Sequence, residues 1–328
     1  MTLSILDSIF NGFFGDLSHT GLMLVAALVL DRLLGEPKSW HPLIWFGRWV
    51  DLCRQQLQIP TDASLIRQRL VGVLAWLLAV LPWVAMLLAV FWCLPGWLDN
   101  VVSVLVLYFA IGWQSLREHA LAIYQPLSAT PLTDDKLNEA RVAVSYIVSR
   151  DTQNLDDSAV AKAGIESVLE NGSDAIFAPI FWFMLLGAPG VLLYRLANTL
   201  DAMWGYKTTE LLHFGWCAAR IDDVLNYVPA RLVVYTYAAC GRWKSAIRSA
   251  KQPSARWKSP NAGPVMAAGA GALGIKLGGE APYFGKMETR PILGDADGDA
   301  PKPKHLKEAI LLVDKSVYLW GAVLWLLF

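Results

Sequence analysis

The chain has 328 residues, of which 55% are hydrophobic and 17% charged, with fifteen Trp and a formal net charge of zero. This composition does not suit an ordinary soluble protein, and the lipid bilayer is the better solvent for it. No basic patch interleaved with aromatic side chains is present, so nucleic acid is set aside as a partner.

The first apolar run, residues 21–30, has no strongly basic segment before it and no small-residue cleavage site after it, so it should stay as an anchor. Residues 70–92 carry no charged side chain. That stretch exceeds the roughly 20 apolar residues needed to cross a bilayer core of about 30 Å, and it predicts a span. Further apolar runs lie at 100–116, 175–194, 232–241, 262–275 and 309–328, not all of them long enough to cross. Lys and Arg are absent before residue 21 and between 92 and 101, whereas 38–69 and 242–258 are basic, the second without a single acid. Short basic loops stay cytoplasmic, so the basic segments are expected there and the N-terminus outside.

Residues 117–174 form a long polar insert. Within it 133–149 reads as a helix capped by Thr133, with Leu137, Ala140, Val144, Ile147 and Val148 on one face. A second helix is expected from about 156 to 177, its acidic start suiting the positive end of the helix dipole. The run at 175–194 is interrupted by Gly187, Pro189 and Gly190, which reads equally as a kinked span or as two half-helices of a re-entrant hairpin. Pro229 and Arg231 argue against a lipid-facing span at 224–241. Gly269, Gly271, Gly274, Gly278 and Gly279 suit close helix packing, and 278–305, rich in Gly, Pro and Asp, reads as an irregular surface loop. Cys53, Cys93, Cys217 and Cys240 lack any metal-ligand spacing and read as small apolar residues. The expected architecture is all-α, a polytopic integral membrane protein with about four to six transmembrane or re-entrant helices plus cytoplasmic helices. It is expected as a single domain with the helical insert and a polar loop at about 278–308.

Polar groups at membrane depth cost free energy unless paired or functional. Glu166, Glu170 and Asp174 recur every four residues and would line one helix face beside Asn171. Such a run of acids calls for a compensating cation such as Mg²⁺ or a substrate ammonium, unless it is simply a solvated face. A second cluster holds Asn198, Asp201, Lys207, Arg220, Asp222, Asp223, Asn226 and Arg231. Carboxylates with amides suit Mg²⁺, and Lys or Arg suits phosphate. The competing reading is a set of intramembrane ion pairs that only orient helices. His41, Arg150 and Asp151 form smaller patches, and a lone histidine such as His41 is more often structural than catalytic. The Walker A pattern GxxxxGK[ST], the zinc-protease pattern HExxH and the hydrolase pattern GxSxG are absent.

In this order and spacing the patches resemble the adenosylcobinamide-phosphate synthase family, CobD or CbiB. The matching positions include Asp31 to Pro37 with His41, Arg150 with Asp151, Glu166 through Asp174, Asn198 with Asp201, Gly205 with Lys207, and Arg220 through Arg231. They continue through Asn261, Gly271, Gly274, Gly278 and Gly279 to Arg290, Pro291, Gly294 and Asp295. Pro264 and Met266 depart from the pattern, standing where many relatives carry Trp and an acid.

The resemblance implies an ATP-dependent ligase that joins adenosylcobyric acid to aminopropanol or its O-phosphate at the inner membrane, with its active face cytoplasmic. It implies ATP and Mg²⁺ as cofactors, the corrinoid, the amine and the lipid bilayer as partners, and other membrane-bound late cobalamin enzymes or a second copy of the chain as candidates. Glu166, Glu170, Asp174, Asp201, Asp222 and Asp223 are then the expected catalytic residues, with Glu170, Asp201 and Asp223 on Mg²⁺. Arg150, Asp151, Asn171, Asn198, Lys207, Arg220, Asn226, Arg231 and Asn261 are expected to bind substrates. Two other classes compete: a non-catalytic polytopic regulator similar to the membrane protein associated with β-lactamase induction, and a transporter with a broken-helix site at 187–190. No paired interruption in a second half supports the transporter.

Overall fold

The computed structural model describes residues 17–37, 39–57, 59–60, 63–206, 208–251, 257–283, 285–295 and 297–327. In chain order the helices are α1 (Leu17–Leu34), α2 (Pro42–Gln56), α3 (Leu65–Cys93), α4 (Gly96–Ala110), α5 (Trp113–Leu127), α6 (Asp134–Ser145) and α7 (Asp157–Gly172). A π-helical segment, Ser173–Phe177, leads into α8 (Ala178–Trp204), followed by α9 (Trp216–Cys240), α10 (Trp243–Lys251) and α11 (Ala262–Leu273). Strands β1 (Lys276–Tyr283) and β2 (Lys286–Gly294) precede α12 (Pro303–Leu327). Three helical stretches among the described residues are long and apolar enough to cross a membrane: Leu65–Cys93, Gly96–Leu127 and Asp157–Trp204. The chain divides into two compact units, one of Met1–Gly112, Ala178–Asn226 and Leu324–Phe328, the other of Trp113–Phe177 and Tyr227–Val323.

In the first unit α3 shows what a lipid-facing helix exposes: Leu70, Leu74, Leu77, Leu78, Leu81, Met86 and Leu88 all lie on its outside. Its inner face, Ala75, Trp76, Ala79 and Val80, packs with Phe46 and Val50 of α2, Leu196, Ala197 and Leu200 of α8, and Phe214. Gly72 lets the chain come close at this seam, because a Cβ there would stand 2.1 Å from the Phe214 carbonyl oxygen. His41 is a helix cap, its Nδ1 accepting the Leu43 amide at 3.2 Å, which agrees with the structural reading of a lone histidine. In α8, Gly187 leaves helical geometry at φ 62 and ψ −156, with Pro189 two residues on. The interruption at 187–190 is therefore a break at Gly187 between two helical segments of α8, located where glycine tolerates positive φ and proline supplies no amide hydrogen.

In the second unit the expected Thr133 cap is in place, and the acidic start of α7 proves to be a second cap. The Thr133 side chain accepts from Lys136 at the start of α6, and the Asp156 carboxylate accepts the Ala159 amide at 2.7 Å at the start of α7. Small residues bring α11 close to its neighbours. A Cβ on Gly269 would meet the Leu169 side chain at 2.5 Å, and one on Gly271 the Ser245 carbonyl at 2.8 Å. The spacing Gly269, Gly271, Gly274 matches GxGxxG but closes a helix, Gly274 being its left-handed C-cap at φ 73. A dinucleotide fingerprint opens one.

Residues 278–294 are not part of an irregular loop. Lys276–Tyr283 pairs antiparallel with Lys286–Gly294, and the register slips between Gly278 and Gly279, opposite Ile292 and Arg290. Pro291 is the extra residue in that bulge, the place in a ladder where a residue without an amide hydrogen does least harm. Gly278, Pro282 and Pro291 each argue against strand when read locally, which is why the sequence hides this hairpin.

Candidate functional site

Each unit gathers part of the expected site. In the first, Asn198 on α8 and Asn226 on α9 both donate side-chain amide hydrogens to Asp222 Oδ1, at 3.0 Å each. The Tyr194 hydroxyl donates to Asn226 Oδ1 at 2.9 Å, which fixes the orientation of that amide. Tyr194 and Asn198 stand one turn apart on α8, as do Asp222 and Asn226 on α9, so two helical faces meet as matched polar pairs. Asp222 is buried. Burial pushes its carboxyl above the ordinary carboxylate range; the Asn198 and Asn226 amides pull it back, and Asp223 pushes it up again.

Asp201 lies one turn beyond Asn198, folded over the end of α8. A Cβ on Gly205 would stand 2.0 Å from Asp201 Oδ1, so only glycine leaves room for that carboxylate. The exposed Arg220 pairs with the half-buried Asp223 at 3.6 Å, and with one partner in solvent such a pair contributes little to stability. Lys207 lies outside the described residues.

In the second unit Arg150 and Glu166 form an ion pair with both side chains buried. The other Glu166 oxygen accepts the Gly278 amide at 2.8 Å. The countercharge of Glu166 is therefore Arg150, a group of the protein itself, and the compensating cation expected from the acidic run is not required at this position. Burial alone would lower the Arg150 guanidinium, but Glu166, Tyr283 and Glu170 carry it above its ordinary value. Asn171 donates its amide to the Ser167 carbonyl at 2.9 Å and hydroxyl at 3.0 Å.

Asp174 lies in the π-helical segment that follows α7. There the Ser173 amide bonds the Glu170 carbonyl, and the Tyr237 hydroxyl donates to the Leu169 carbonyl at 3.0 Å. Burial raises the Tyr237 phenol and the Asp174 charge adds to it. A π segment within a helix often marks a functional position.

Arg231 donates to Asn261 Oδ1 at 2.7 Å and to the Pro260 carbonyl at 2.9 Å, with its guanidinium 3.9 Å from the centre of the Tyr227 ring. Arg231 and Asn261 thus come together. Among the described residues no three His, Cys, Asp or Glu side chains stand together as a metal-holding group.

Local reading missed the part that the hairpin plays. Lys162 Nζ donates to the Gly278 and Glu280 carbonyls at 2.9 and 3.0 Å. The Asp151 amide donates to the Pro282 carbonyl at 3.1 Å, and its Oδ2 accepts the Gly285 amide at 2.8 Å. Arg150 and Arg290 stand 5.6 and 4.1 Å from the centre of the Tyr283 ring. The signal available in sequence was Arg290 with Pro291 and the paired Gly278 and Gly279, which only the ladder connects to Glu166. Asp151→Ala is expected to speed hydrogen exchange at the Gly285 amide about fivefold, for a hydrogen bond contributing about 1 kcal/mol. Unchanged exchange would show that the carboxylate does not hold the turn.

The family described as CobD/Cbib protein matches residues 24–313. A "Cobalamin biosynthesis protein CobD" of Stutzerimonas stutzeri (strain A1501) is 53% identical over 305 residues, covering 92% of this chain and 96% of that protein. The protein of the same description from Chromobacterium violaceum is 48% identical over 314 residues, covering 93% and 96%. That of Rhizobium meliloti (strain 1021) is 38% identical over 290 residues, covering 84% and 86%. No solved structure matches the chain.

Proposed function

The chain belongs to the CobD/Cbib family of cobalamin biosynthesis, and from that premise we propose that it is an ATP-dependent amide ligase joining the propionate carboxyl of adenosylcobyric acid to the amine of aminopropanol or its O-phosphate. The observation that carries the reading is Asp222, a buried carboxylate raised above its ordinary range and held by the Asn198 and Asn226 amides. Amide formation needs a group of this kind, because the attacking amine must lose a proton as the C–N bond forms.

A carboxylate is a poor electrophile. Its oxygen must first take a phosphoryl or adenylyl group from ATP, releasing ADP or pyrophosphate, so that the amine can then displace phosphate or AMP. Arg220, Arg231 and Lys207 are the residues proposed to hold the phosphates, and Asp222 takes the amine proton. Mg²⁺ generally binds through one or two acids plus substrate phosphates, so Asp201 and Asp223 suit a metal that arrives with the nucleotide. When bound, it would offset charge on the transferring phosphoryl group. Glu166, with both oxygens engaged, positions Arg150 and the hairpin, and Glu170 and Asp174 are the residues proposed to handle the amine. The reaction is proposed to take place on the cytoplasmic face of the inner membrane, where ATP and the corrinoid are found.

The test is turnover by the purified full chain given adenosylcobyric acid, aminopropanol phosphate and Mg-ATP. An amidated corrinoid with ADP or AMP is expected, and Glu170→Ala and Asp201→Ala should abolish it. No amide from a demonstrably folded protein would favour the regulator instead.

A further inference from the structure

The C-terminal half of α9, α10 and the turn entering α11 enclose a cleft of about 360 Å³. Val234, Tyr235, Ile247 and Pro264 give it apolar walls, and Arg231 and Lys251 are its two charged residues. Arg231 is already set in place. Its hydrogen-bond acceptors are Asn261 Oδ1 and the carbonyls of Pro260 and Tyr227, and Asn261 is itself buried. All of these partners are neutral, so they fix the guanidinium without cancelling its charge. Among the described residues neither Arg231 nor Lys251 enters an ion pair. The chain supplies no acid between residues 242 and 258.

A lysine at the end of α10 has an ordinary explanation in the helix dipole. That explanation does not extend to Arg231, which comes from a different helix and lines the same cleft. Two cations without acids attract an anion, and a guanidinium fork beside an ammonium matches the oxygens of a phosphate. The missing acids also discriminate between phosphates. A magnesium nucleotide brings its own cation and is served by carboxylates, whereas this cleft offers the metal nothing. The apolar walls require that the rest of the ligand be hydrocarbon or aromatic.

We propose that this cleft binds, without metal, a phosphate group carried on an apolar body. The inference rests on the reading of Arg231 as a phosphate-holding residue and narrows it: with Lys251 and the apolar wall, Arg231 holds a phosphate that comes without metal, and the nucleotide's phosphates fall to Arg220 and Lys207. The same chemistry is found in a soluble phosphomonoester and in an anionic lipid headgroup.

The test uses the full chain in phosphatidylcholine nanodiscs, with EDTA present and no ATP or corrinoid. Phenyl phosphate is titrated calorimetrically against wild type, Lys251→Gln, Lys251→Glu and the control Lys244→Gln, with helicity and melting checked for each. A second arm compares retention of phosphatidylglycerol by wild type and Lys251→Glu in native mass spectrometry. Lys251→Gln is expected to weaken phosphate binding about tenfold or more, the loss of one charge-assisted contact, and Lys251→Glu to abolish it, while Lys244→Gln binds as wild type. Binding of phenyl phosphate that depends on Lys251 while lipid retention does not identifies a soluble ligand. Lipid retention that depends on Lys251 identifies a headgroup. If neither depends on Lys251 in folded protein, the proposal is overturned. Because only binding is read, a failure of amide synthesis leaves this result standing, and the reverse is also true.

Discussion

Glu166→Ala is expected to lower the unfolding free energy by about 3–5 kcal/mol, because it leaves the Arg150 guanidinium buried without its countercharge. Both side chains of this pair are nearly inaccessible, at 7% and 5% exposure, so solvent cannot take over from the missing partner. The Gly278 amide also loses its acceptor, and the hairpin loses one of its ties to α7. Arg150→Met should cost a similar amount, since it strands the carboxylate instead. The double variant Arg150→Met with Glu166→Leu should recover most of the loss, because an apolar pair can replace a buried ion pair at little net cost. It should not recover all of it, since the Gly278 amide still lacks a partner. Denaturation in mild detergent, followed by near-UV circular dichroism, measures the three variants. If the double variant were as unstable as the two single losses added together, the pair would not be the coupled unit described here.

Asp222→Asn is expected to reduce amide synthesis by about 10²–10⁴-fold, the usual contribution of a positioned general base, with helicity retained. A purely structural role would also lose activity, so the pH profile decides between them. The amide hydrogen bond from Asn198 favours the charged form of Asp222, and Asn198→Ala removes it. The Asp222 carboxyl must then rise further, so that a higher pH is needed to deprotonate it. The acidic limb of the rate profile should therefore move to higher pH in Asn198→Ala. An unmoved limb, or one displaced to lower pH, would remove Asp222 from the proton-transfer step.

Several elements were legible because their cause is local. The uncharged run at 70–92 had no outcome but a long apolar helix, and Leu65–Cys93 contains it. Thr133 announced its helix because a cap bonds amides only a few residues away, and the acidic start near 156 announced the next because the helix dipole acts within the first turn. The glycine stretch at 269–274 was readable as packing, since what matters there is the absence of side chains. The order of polar patches carried the family resemblance by itself, and the match over residues 24–313 agrees with it.

What lay beyond the sequence had causes far apart along the chain. The acids at 166, 170 and 174 look equivalent by spacing, yet Glu166 is neutralised by Arg150, and Asp174 falls in the π-helical segment. The antiparallel ladder depends on partners 16 to 18 positions apart at its far end and on a bulge that accommodates Pro291, so local propensity pointed to a loop. Asp222 was visible as an acid, but its two amide donors, one of them on another helix, were not. Sequence by itself determined where this chain is apolar enough for lipid, where its helices begin and which family it resembles, because hydropathy and capping are short-range. Only the tertiary structure decided which carboxylates are satisfied by the protein's own groups, because burial and ion pairing depend on residues that folding brings together.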